Sequence, residues 1–73
     1  MRCAEVERLR HRLHRQHDEL IETLMGFLRA VEGGEEAASL TPFLEALNFQ
    51  AEEMAGTVDR IKALTAADGE EGW

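Results

Sequence analysis

Apolar side chains recur at steps of three and four along two stretches of this chain, and the glycine pair Gly33-Gly34 stands between them. That period puts one stripe on one side of an α-helix, so the sequence predicts two helices and a reversal. From Val6 the first stripe runs through Leu9, Leu13, Leu20, Leu24, Phe27, Leu28 and Val31, stepping over His17, with Ile21 and Met25 on one flank. At about 100° per residue these side chains occupy an arc about 100° wide. The second stripe is Phe43, Leu44, Leu47, Ala51, Met54, Val58 and Ile61, with Leu40 before it, and it fades after Leu64.

The boundaries follow from local chemistry. Glycine adopts the left-handed conformation that ends a helix without a Cβ penalty, so helix 1 is expected over about residues 4–32. At Thr41-Pro42 the threonine can cap a free N–H and proline suits the first helical position, so helix 2 is expected over about residues 42–67. The hairpin then covers residues 1–68, and 69–73 form a flexible acidic tail ending in Trp73. The fold class is all-α.

Two helices of roughly 25 residues are about 38 Å long, and residues whose numbers sum to about 73 meet across the hairpin. One hairpin covers only one side of each stripe, and each large side chain left half-covered forgoes part of the ~1.5–3 kcal/mol of full burial. A second hairpin removes that loss. The expected assembly is therefore a homodimer forming an antiparallel four-helix bundle, with Leu13, His17, Leu20, Leu24, Phe27, Leu47, Met54 and Val58 in its core; a hetero-bundle with a larger partner is the rival. His17, within the stripe, is read as a buried polar residue that sets register and stays neutral.

A chain of 73 residues ordinarily needs a staple. Cys3 is its only cysteine, which excludes an intrachain disulfide and a cysteine metal cluster. No apolar run approaches the ~18 residues of a membrane span, and no signal-peptide stretch opens the sequence, so the cytoplasm is the expected compartment. Residues 1–17 carry five arginines against Glu5 and Glu7, a balance of +3, while residues 18–73 carry three basic and thirteen acidic residues, a balance of -10. In an antiparallel hairpin the basic start of helix 1 lies beside the acidic end of helix 2.

Catalysis is not expected. The sequence has no Gly-rich phosphate loop, no nucleophile beside a base and no carboxylate pair facing a cleft. No cofactor is implied. His11, His14 and His17 rotate by about 60° per step around the helix, so they do not converge on one metal ion. Arg8, Arg12 and Arg15 form a basic face that suits phosphates, which makes an RNA- or DNA-binding regulator an alternative, opposed by the net charge of -7. A histidine/carboxylate metal-binding bundle is a further alternative.

The partner-binding candidates lie off the main stripe. Phe49 is about 160° or more around helix 2 from Leu47, on a back face with Ala46, Gly56 and Leu64. Phe49, Leu64 and Trp73 are the expected contacts for a larger protein. The resulting reading is a small self-associating adaptor, chaperone or inhibitor-like regulator.

Two resemblances accompany this reading. The segments Gln16-His17-Asp18-Glu19-Leu20-Ile21 and Asn48-Phe49-Gln50-Ala51-Glu52-Glu53 resemble the first two helices of hemerythrin-type oxygen-binding proteins. That resemblance implies iron ligands at His17, position 48 and Glu52. Asn48 replaces the required histidine and the later ligand-bearing helices are absent, so no iron site is carried over. In layout the chain is also similar to the plasmid repressor-of-primer family, which implies a hairpin dimer that binds RNA.

Overall fold

The computed structural model describes the backbone of residues 2–72 and the side chains of residues 4–66. Helix α1 spans Arg2–Glu32 and helix α2 spans Ala37–Gly72. They pack antiparallel as an all-α hairpin, and the described residues contain no strand.

The first boundary falls where the glycine pair puts it. Gly34 has φ 75°, the left-handed conformation. The Glu35 N–H donates to the Ala30 carbonyl at 3.1 Å and the Gly34 N–H to the Val31 carbonyl at 3.0 Å, the paired bonds of a Schellman cap. The second boundary differs from the sequence expectation, because α2 begins at Ala37 rather than near Pro42. The reversal is complete by Glu36, whose carbonyl accepts the Ser39 N–H at 2.9 Å. Thr41 does not cap from outside; its hydroxyl donates back to the Ala37 carbonyl at 3.3 Å. Pro42 then lies inside the helix as its sixth residue, where it lacks the N–H that would bond the Ala38 carbonyl. At the other end α2 continues to Gly72, through most of the expected tail. Trp73 and the side chains beyond residue 66 lie outside the described residues.

The seam between the helices repeats every seven residues. Half-buried or buried positions on α1 are Val6, Leu13, Leu20 and Phe27, called a here, and Leu9, Gln16, Thr23 and Ala30, called d. On α2 they are Leu40, Leu47, Met54 and Ile61 at a, and Phe43, Gln50, Thr57 and Leu64 at d. This is the spacing of an antiparallel coiled coil. The level of the two helices is set by Gln16 against Thr57, joined by a 2.8 Å hydrogen bond, and by Phe27 against Phe43, whose rings meet edge to face at 6.3 Å.

The rod measures 54 × 16 × 16 Å with a radius of gyration of 16.7 Å. A compact chain of this length has a radius near 11 Å. Among the described side chains only Leu9, Ala30 and Thr57 are buried.

Candidate interaction surface

The a and d columns differ in chemistry, and that difference gives the hairpin two unlike faces. Every a residue is a large aliphatic or aromatic side chain, whereas the middle of the d columns is polar: Gln16 and Thr23 on α1, Gln50 and Thr57 on α2. In an antiparallel pair the e positions of both helices flank the a side, and the g positions flank the d side. One broad face is therefore a plus e, the other d plus g.

The d/g side is closed and polar. The other half-buried residues, Glu5, Gly26 and Ala46, are all at g. The small residues Gly26 and Ala46 leave room near the loop; a Cβ on Gly26 would lie 3.1 Å from Phe43 Cε1. The Thr57 hydroxyl donates to Gln16 Oε1, and the Gln16 amide reaches the Glu53 carbonyl at 3.4 Å. Gln50 Oε1 is buried without a hydrogen-bond partner. Two shallow polar grooves run along this side. One is lined by Glu5, Arg8, Arg12, Glu53 and Arg60, with Arg60 3.6 Å from Glu5; the other by Glu19, Glu22, Phe49 and Glu53.

The a/e side is open and apolar. All eight e positions are exposed: Arg10, His17, Leu24 and Val31 on α1, then Leu44, Ala51, Val58 and Thr65 on α2. Ile21 and Leu28, one column further round α1, widen the apolar strip. Of the eight exposed large hydrophobic residues, six belong to these columns, among them Val31 at 46% and Leu44 at 51% exposure. The chain exposes 5605 Å². A compact monomer of 8.2 kDa exposes about 4,500 Å², so the hairpin leaves roughly 1,000 Å² more in water.

No protein-family model, curated protein or solved structure matches the chain.

The eight residues expected in the bundle core divide between the two columns. Leu13, Leu20, Phe27, Leu47 and Met54 are half-buried at a, while Leu24 and Val58 are exposed at e. His17 is also at e, its side chain 56% exposed and 3.7 Å from the Asp18 carboxylate, and Gln16 takes the seam position within the hairpin. A step of one residue turns the helix by about 100°, and the seven-residue repeat selects the glutamine. The Arg10, Leu13, His14, His17 and Met54 side chains line a shallow hollow on the a/e face.

Phe49 is 62% exposed and stands alone on the d/g side, beside the acidic groove. Leu64 is not on the back face with it; it closes the d column as a half-buried seam residue. Arg8 and Arg12 share their groove with Arg60 from α2 and with two glutamates, and Arg15 is exposed outside that groove. Among the described residues no group of three or more His, Cys, Asp or Glu is placed to hold a metal ion. No described helix is long and apolar enough to cross a membrane.

Sequence reasoning missed Gln16, Thr23, Gln50 and Thr57 as seam residues. Their signal was present as spacing, since each falls three or four residues from an apolar neighbour, but it was invisible to a search for apolar side chains.

Proposed function

We propose that this protein is a non-catalytic protein–protein interaction module, a small helical adaptor, chaperone or inhibitor-like regulator that self-associates into a four-helix bundle. The observation that carries the reading is the exposed e column. Leu24, Val31, Leu44 and Val58 extend the apolar a residues into a continuous strip with no covering element among the described residues. Burying such a strip is the main driving force available to a two-helix protein. A standard protein interface buries about 800 Å² on each partner, which is comparable to the ~1,000 Å² of excess surface. With the a/e face occupied by a second copy, the d/g face and Phe49 are left for a larger partner.

The nucleic-acid alternative is weaker in this geometry. Arg8 and Arg12 are interleaved with Glu5 and Glu53, so a phosphate approaching them meets carboxylates in the same groove. Affinity copurification from the source cells, with and without nuclease, separates the two readings. The interaction-module reading predicts a stoichiometric protein companion that survives nuclease; recovery of nucleic acid alone overturns it.

A further inference from the structure

We propose that the second copy covers the a/e face with its loop at the same end of the bundle, so that α1 of each protomer packs against α2 of its partner. The inference rests on the self-association proposed above and specifies its arrangement. Two arrangements give an all-antiparallel four-helix bundle. With the two-fold axis along the bundle, the loops sit side by side and α1 faces the partner's α2. With the axis across it, the loops lie at opposite ends, α1 faces the partner's α1, and α2 faces the partner's α2.

The apolar strip is graded along its length, and the grading separates these cases. Near the loop, α1 shows Ile21, Leu24, Leu28 and Val31; toward the open end the same columns carry His17, His14 and Arg10. With loops at opposite ends, α1 crosses its copy near residue 17, which sets Leu24 against the partner's Arg10. A guanidinium would then lose water against leucine. With loops together, the level fixed by Gln16–Thr57 and Phe27–Phe43 holds across the interface as well, because a two-fold axis along the rod adds no shift. Leu24 and Leu28 then meet the partner's Leu47 and Leu44 respectively, apolar against apolar. His17, His14 and Arg10 gather at the open end, where Arg10 is already paired with Glu7 at 2.7 Å.

The test is pulsed electron–electron double resonance between nitroxides attached at E35C in a C3S background, with helicity checked by circular dichroism. Residue 35 is exposed in the turn, and its backbone bond to Ala30 does not depend on the side chain. Loops together give an inter-label distance of about 20 Å, from helix spacings of 8–10 Å and the label tethers. A distance approaching the 54 Å length of the rod overturns the arrangement while leaving self-association standing. A helical sample with no dipolar modulation at any concentration overturns both.

Discussion

The Thr57 hydroxyl donates a 2.8 Å hydrogen bond to Gln16 Oε1 in the middle of the seam, where an ordinary coiled coil would carry two apolar residues. Thr57 is only 6% exposed, so the pair is sheltered from water. Removing one partner leaves the other acceptor short of a donor, and Thr57→Val is expected to cost about 1 kcal/mol in urea unfolding at fixed chain concentration. Replacing both, as Gln16→Leu with Thr57→Val, recovers that loss and adds an apolar patch to the d/g face, so the double variant forms species larger than the wild type. A double variant no more stable than Thr57→Val, and unchanged in size, contradicts this account of the polar layer.

Leu24 and Phe49 separate the two faces experimentally. Leu24→Glu places a carboxylate on the a/e strip at a position exposed in the single hairpin, so helicity is retained. In a symmetric dimer the change occurs twice, and losing ~1.5–3 kcal/mol of burial at each site weakens association at least about 100-fold. Phe49→Glu, on the opposite face, leaves the assembly state unaltered and weakens only the capture of a further partner. Size-exclusion chromatography with light scattering reads both. Equal effects of the two substitutions on assembly would remove the distinction between the faces.

The two mid-helix glycines respond differently to alanine. At Gly56 nothing lies within 4 Å of an added Cβ, so Gly56→Ala gains the helix propensity of about 1 kcal/mol without a steric cost. At Gly26 the new methyl meets Phe43 Cε1 at 3.1 Å, and the ring must give way. Gly26→Ala is therefore expected to be less stabilising than Gly56→Ala, by about 1 kcal/mol or more, in thermal or urea unfolding. Equal gains at both sites would show that Phe43 does not rest on Gly26.

Glu7 carries a pH signature. The 2.7 Å hydrogen bond from Arg10 Nη2, reinforced by its positive charge, holds the Glu7 carboxyl below its ordinary value of 4.5. The interaction is fully present above the ordinary value and is lost as pH falls through the lowered one. Carboxyl titration by nuclear magnetic resonance should give Glu7 a midpoint below 4.5, and Arg10→Ala should raise it. A midpoint indifferent to Arg10 would place the cause elsewhere.

Much of this fold is legible in the sequence, because the end of α1 is written in backbone chemistry and both helices in spacing. Gly33-Gly34 ends α1 where only glycine is at ease, and the three-and-four steps identify both helices. The start of α2 was less legible, since Thr41-Pro42 is chemically a good first turn and nothing local reveals that the Schellman cap lets the chain re-enter a helix at Ala37. The face was harder still. A stripe drawn through the most apolar residues of α1 points midway between the seam and the exposed strip, which is why it takes in both Leu20 and Leu24, with His17 in the same column as Leu24. The seam itself runs through Gln16 and Thr23, whose polarity hides them from a hydrophobic search. That offset is informative: apolar residues displaced to one side of the seam are those left over for another surface.

Sedimentation equilibrium of the wild-type chain tests the central claim most directly. The account predicts a species of about twice 8.2 kDa that dissociates reversibly on dilution, with Leu24→Glu shifting the balance to the single chain. A fully helical species of 8.2 kDa persisting at millimolar concentration would contradict it, because the a/e strip would then be stable in water without a partner of its own kind.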